Sequence, residues 1–105
     1  TSLYFCGERA KVSNMQKRLE CVVTGRVQLV MFRDFVMRKS RARGLVGTVK
    51  NNPDGSVLLV AEGEEVKLQE LLALVRRGSM LSRVDDVRET WGNPLGEFKS
   101  FDILY

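Results

Sequence analysis

The tetrapeptide Asn52-Pro53-Asp54-Gly55 constrains this chain more than any other segment. Proline presets one backbone angle of a turn, asparagine and aspartate fold their side chains back onto the main chain, and glycine accepts the left-handed conformation that closes it. On either side stand runs of strand-like composition, LVGTVKN at 45–51 and SVLLVA at 56–61. Two such runs around one tight turn predict a β-hairpin. The full length of 105 residues leaves room for one domain and not for two independent cores.

The flanking segments extend the hairpin into a fold. Upstream, 19–25 (LECVVTG) reads as a strand and 26–31 (RVQLVM) as a link. Residues 32–43 (FRDFVMRKSRAR) read as a helix that puts Phe32, Phe35 and Val36 on one face and stops at Gly44. Downstream, 64–77 is the clearest helix, because Leu68, Leu71, Leu72 and Val75 fall at i, i+3, i+4 and i+7; Gly78 ends it. Residues 82–91 (SRVDDVRETW) read as a fourth strand and 92–96 as a loop. The last strand, 98–105, has Phe101 and Ile103 on one side. The order β-α-β-β-α-β plus a final strand predicts an α+β, ferredoxin-like split βαβ sandwich: an antiparallel sheet with two helices on one face. In the third strand Leu58 and Val60 alternate with Val57 and Leu59, so both of its sides are apolar and covered. Residues 1–17 read as a disordered N-terminal extension or tag, and 18–105 as the domain. Topology of this kind hosts many functions and selects none.

Composition narrows the chemistry. Hydrophobic content of 44% and charge of 29% fit a soluble domain. No apolar run is long enough to cross a bilayer, and residues 1–16 lack the basic start and apolar stretch of a signal peptide, so a cytoplasmic location is expected. The chain has no histidine, which removes Ser-His and Cys-His nucleophile pairs, a histidine base and histidine metal ligands. Cys6 and Cys21 are too few for a metal site; two free thiols are expected, and a single disulfide stays open. A net charge of +4 and a pI near 9.4 favour an anionic partner, either nucleic acid or a small phosphorylated molecule.

Several charged or polar groups read as structural. The basic run Arg38, Lys39, Arg41 and Arg43 reads as a solvated helix face rather than a nucleic-acid footprint, because the first and third strands carry no aromatic side chain for base stacking. Asp85 and Asp86 are neighbours on a strand and point to opposite faces, so with Glu89 they read as surface charge. Ser79 and Ser82 suit a turn, and Trp91 and Tyr105 suit strand ends.

The junction GRVQLVMFR is where chemistry concentrates. The first N–H groups of a helix have no intrahelical partner, the helix dipole is positive there, and a tight preceding loop adds further inward N–H groups. Arg33, in the first helical turn, adds a forked cation that suits phosphate. Physics alone leaves two readings open here: a phosphate site, or an ordinary strand-to-helix turn with a surface arginine.

A resemblance separates them. Gly25-Arg26-Val27-Gln28, then Val30, then Phe32-Arg33, resembles the acylphosphatase signature G-x-V-Q-G-V-x-F-R. Gly47-Thr48-Val49-Lys50-Asn51, with Asp54-Gly55-Ser56-Val57, resembles the family's second signature, G-[WYT]-V-[KR]-N followed by D-G-x-V. The likeness spans residues 19–105. It implies hydrolysis of an acyl phosphate to a carboxylate and inorganic phosphate, with no metal or organic cofactor. It implies a monomer whose partner is a small-molecule acyl phosphate or phosphate, not nucleic acid or membrane. The amides of Val27, Gln28, Leu29, Val30 and Met31 would cradle the phosphate, Arg33 would anchor it, and Asn51 would orient the attacking water. An anhydride has a good leaving group, so positioning and charge stabilisation can replace a strong side-chain base. The family pattern has glycine where this chain has Leu29. A leucine forced into a left-handed conformation costs roughly 1–2 kcal/mol, so a lowered phosphate affinity is expected. The alternative is an anion-binding or interaction module on the same fold, its activity lost through Leu29.

Overall fold

The computed structural model describes residues 15–28 and 31–105. Its strands are β1 (Gln16–Arg26), β2 (Val46–Asn51), β3 (Val57–Glu64), β4 (Arg83–Gly92) and β5 (Phe101–Leu104); its helices are α1 (Phe32–Ala42) and α2 (Glu65–Arg77). The expected β2–β3 hairpin forms around the Asn52–Gly55 turn. Asn52 N–H donates to the Ser56 carbonyl at 2.8 Å and Gly55 N–H to the Asn52 carbonyl at 3.2 Å. The Asp54 carboxylate accepts the Ser56 hydroxyl at 2.6 Å and the Ser56 N–H at 2.9 Å. These two bonds, the hydroxyl first, hold the Asp54 carboxyl below its ordinary value.

The strand order is β4-β1-β3-β2-β5. Register places Leu19 opposite Ala61, Cys21 opposite Leu59 and Val23 opposite Val57, so these six share one face. That face meets Phe32 and Val36 of α1 and Leu68, Leu71, Leu72 and Val75 of α2, all buried. The periodicity of α2 therefore placed its core face correctly, whereas on α1 Phe35, expected beside Phe32 and Val36, is only partly buried against the core. Each fully buried Leu, Val or Phe contributes roughly 1.5–3 kcal/mol of apolar transfer. Cys21 is sealed within the core, where burial first and the Glu89 charge second push its thiol up to about 12. Such a thiol is inert. Cys6 lies outside the described residues, as does the expected extension up to residue 14.

The sheet is mixed rather than antiparallel throughout. β5 pairs parallel with β2, Gly47 opposite Phe101 and Val49 opposite Ile103. The cause is the path of 93–100. β4 ends at Gly92 beside Arg18, at the end of the sheet where β2 begins. The link runs along that end, so β5 must start where β2 starts and run beside it. The link also shortens β5, which begins at Phe101 rather than residue 98. Phe98 instead lies under the Arg18 guanidinium, 5.8 Å from its ring centroid.

Glu62 fixes this link. Its carboxylate, 3% exposed, accepts the Leu95 and Gly96 N–H groups at 3.0 and 3.2 Å and the Arg18 guanidinium at 2.7 Å. Burial pushes the carboxyl up, but the Leu95 amide, Arg18 and the Gly96 amide outweigh it and hold the group below the usual glutamate value. A carboxyl lowered on folding contributes stability above its unfolded pKa, and that stability is lost as pH falls through the folded value. Glu62→Gln is expected to cost about 1.5–3 kcal/mol at pH 7, the range for hydrogen bonds to a charged group. The gap from the parent should shrink as pH falls below 4.5. Urea unfolding of both proteins at neutral and acid pH measures this; a gap independent of pH would refute an ionic clamp.

A bulge disturbs β1 where it approaches the link to α1. Register with β4 shifts between Thr24 and Gly25. Gly25 has φ +126°, and a Cβ there would overlap the Arg83 carbonyl oxygen and lie 2.7 Å from the Asp85 nitrogen. The glycine that opens the first signature thus serves a close backbone approach.

Candidate functional site

Three chain segments converge at one end of the sheet: residues 27–28 after β1, the start of α1, and Asn51 at the end of β2. Met31 precedes α1 with φ 58° and ψ 26°, the one non-glycine residue with positive φ among those described. Its carbonyl accepts the Phe35 N–H at 3.1 Å and opens the helix. The N–H groups of residues 32–34 are left without intrahelical partners, and no side chain caps them from Met31. A left-handed residue followed by a helical one turns successive N–H groups to the same side, and the helix dipole adds positive potential. The result is an amide cradle suited to an anion. Holding Met31 left-handed costs about 1–2 kcal/mol. The expectations on Leu29 and Val30 fall outside the described residues.

A cavity of about 410 Å³ opens over this cradle, lined by Val27, Met31, Arg33 and Asn51 among others, with Ile103 and Tyr105 from the C-terminal segment. Arg33 and Asn51, expected from sequence to act together, thus share one cavity. Arg33 donates from Nη1 to the Leu104 carbonyl at 3.2 Å, and its guanidinium lies 5.0 Å from the Tyr105 ring centroid. These contacts hold the side chain across the cavity and leave most of its five N–H donors for a ligand. Asp34 also lines the cavity, but its carboxylate is engaged by Arg38 at 2.8 Å, which offsets its repulsion of an anion.

Asn51 Oδ1 is buried and has no hydrogen-bond partner among the described residues. A buried acceptor left unpaired costs about 1–3 kcal/mol. At a cavity wall it is a place for a ligand or water that donates to it.

Gln28 was expected to contribute its amide. Its side chain also ties the link to the hairpin, donating from Nε2 to the Asn52 carbonyl at 2.9 Å and the Ser56 carbonyl at 2.8 Å. The turn accepts because Asp54 and the Asn52 side chain, which donates to Ser56 Oγ at 2.9 Å, fix Ser56 in turn. Sequence reasoning placed Asp54 in the turn but assigned Ser56 no role beyond the signature. The available signal was that D-G-S-V belongs to that signature.

The basic run on α1 and its C-cap Arg43 is a solvated face at Arg38 and Arg41, both more than half exposed, and also makes tertiary contacts. Arg41 donates to the Phe101 carbonyl at 3.0 Å, Arg43 pairs with Glu70 at 3.2 Å, and Lys39 lies 5.8 Å from the Phe35 ring centroid. Tyr105 is fully exposed and meets Arg33 instead of packing beside its strand end. Among the described residues, no helix is long and apolar enough to cross a membrane.

Comparison with known proteins bears on this site. The acylphosphatase family model matches residues 19–103. The acylphosphatase of Methylococcus capsulatus is 48% identical over 90 residues, which covers 84% of this chain and 96% of that protein. The acylphosphatase of Bacillus subtilis is 43% identical over 84 residues, covering 80% of this chain and 92% of its own. The crystal structure of acylphosphatase from Bacillus subtilis superposes with a TM-score of 0.82 over 85% of this chain and 99% of that one.

Proposed function

Because this chain belongs to the acylphosphatase family, we propose that its acylphosphatase reaction takes place in the cavity at the start of α1. The observation that carries this reading is the unpartnered Asn51 Oδ1 on the same cavity wall as Arg33 and the amide cradle. The cradle amides and the Arg33 fork bind the three phosphate oxygens. A water donates one hydrogen to Asn51 Oδ1, which points its oxygen lone pair at phosphorus. The new water oxygen–phosphorus bond forms as the bond from phosphorus to the acyl oxygen breaks. The electron pair leaves on the carboxylate, and the water's proton passes to a phosphate oxygen. An amide carbonyl is too weak a base to take that proton, so Asn51 orients and does not abstract. The substrate is a small-molecule acyl phosphate, and the enzyme acts as a monomer in the cytoplasm without nucleic acid or cofactor.

Asn51→Ala tests the assignment. Phosphate binding does not need Asn51, so KM for benzoyl phosphate should change by less than about threefold. Loss of one positioned hydrogen bond should lower kcat by about 10²-fold. Steady-state kinetics separates the two; a rise in KM at unchanged kcat would make Asn51 a binding group and remove its role in orienting water.

A further inference from the structure

We propose that a second cavity, beside the cradle, receives the acyl group and makes this enzyme prefer acyl phosphates with an aromatic or similarly bulky apolar acyl chain over acetyl phosphate. This rests on the cradle being the phosphate site. The second cavity, about 330 Å³, shares two walls with the first: Met31 and Asp34 line both. An acyl group is bonded directly to the phosphate, so it must occupy space next to the cradle, and this cavity is such a space. Phe35, Met80 and Leu81 add the apolar part of its wall, and Arg38, paired with Asp34 at 2.8 Å, lines the rest with Ser79.

The exposure of these side chains is unusual for a protein surface. Met31 is 75% exposed, Met80 97% and Leu81 68%. Scattered exposed apolar residues are ordinary; three around one depression mark a binding groove. The loop that carries Met80 and Leu81 is closed rather than loose. Ser79 N–H donates to Ser82 Oγ at 2.7 Å, Ser82 Oγ to the Ser79 carbonyl at 3.1 Å, and Gly78 N–H to the α2 carbonyl of Leu74 at 2.9 Å. The turn therefore presents both side chains in place. Methionines suit such a wall because the unbranched thioether adapts to rings of different outline. Size also fits, since a cavity of about 150 Å³ accommodates benzene. Ser79 Oγ, buried on this wall without a partner among the described residues, offers a hydroxyl for a polar substituent on the acyl group.

The test is the double substitution Met80→Ser with Leu81→Ser. Both side chains are exposed, so the fold should persist, and circular dichroism checks that it does. kcat/KM is measured for benzoyl and acetyl phosphate in both proteins; the ratio between proteins cancels the different intrinsic reactivity of the two compounds. The expected result is a fall of about tenfold for benzoyl phosphate, a change within twofold for acetyl phosphate, and unchanged inhibition by inorganic phosphate. Equal falls for both substrates, or no change in either, would overturn the proposal. So would a loss of concentration-dependent self-association in sedimentation with the substrate ratio unchanged, which would make the groove a contact between two copies of the chain. Calorimetric binding of benzylphosphonate against methylphosphonate reads the groove without turnover. If the parent prefers benzylphosphonate and the variant does not, while neither hydrolyses an acyl phosphate, the groove stands and the catalytic reading falls. If the parent hydrolyses both substrates and shows no such preference, the groove falls and the catalytic reading stands.

Discussion

Arg33→Ala is expected to lower kcat/KM for benzoyl phosphate by about 10³-fold and to abolish measurable binding of inorganic phosphate. A thousandfold corresponds to about 4 kcal/mol of lost transition-state stabilisation, within the range for removing a charged, bidentate donor from a site where charge develops. The cradle amides alone should leave residual turnover. Stability should move by less than about 1 kcal/mol, because among the described residues Arg33 makes one exposed hydrogen bond, to the Leu104 carbonyl, and one stacking contact, with Tyr105. Arg33→Lys restores charge without the planar fork and should recover only part of the loss. Kinetics, a phosphate titration followed by NMR, and the urea midpoint together decide the matter. Phosphate binding retained in the alanine variant would place the anion site elsewhere on the chain.

How much of this was legible in the residues differs by level. The helices announced themselves, because Leu68, Leu71, Leu72 and Val75 recur with the helical period and all are buried. The hairpin did too, since the chemistry of Asn52-Pro53-Asp54-Gly55 is local. The pairing of β5 was not legible. Its direction depends on where the link at 93–100 travels, and the side chain that pins the link is Glu62, far away in sequence. A lone glutamate in an apolar strand carries no local sign of the amides it will meet. The site divides the same way. Arg33 and Asn51 were legible as a pair only through the two signatures, since nothing local says that residues eighteen apart share a cavity. Gln28 was assigned by its backbone, whereas its side chain tethers the hairpin turn, a partnership that exists only after β2 and β3 pair.

The second large effect concerns the glycine that opens the second signature. Gly47→Ala is expected to destabilise the domain by more than about 4 kcal/mol, which approaches the whole stability of a small domain. Gly47 stands in β2 opposite Ala61, at φ +149°, a conformation that L side chains rarely adopt. A Cβ there would overlap the Val60 carbonyl oxygen and lie 2.8 Å from the Val60 carbonyl carbon and 2.9 Å from the Ala61 Cα. All three atoms are backbone, in a strand paired on both sides with β1 and β2, so none can step aside by rotating a side chain. β2 would have to move, taking with it the Gly47 N–H bond to the Ser100 carbonyl at 2.9 Å and the pairing with β5. Asn51 ends the same strand, and Leu104 and Tyr105, which hold Arg33, follow from its neighbour. Any molecules of the variant that remain folded should therefore also lose activity per folded molecule. Gly92→Ala is the control: it sits at the end of β4 with open space where a Cβ would go, and should cost less than about 0.5 kcal/mol. Urea unfolding followed by circular dichroism compares the two, and active-site titration of the folded fraction gives the activity. An alanine at 47 tolerated as well as one at 92 would show that β2 and β3 can separate without cost, and the close approach would then not be what positions Asn51.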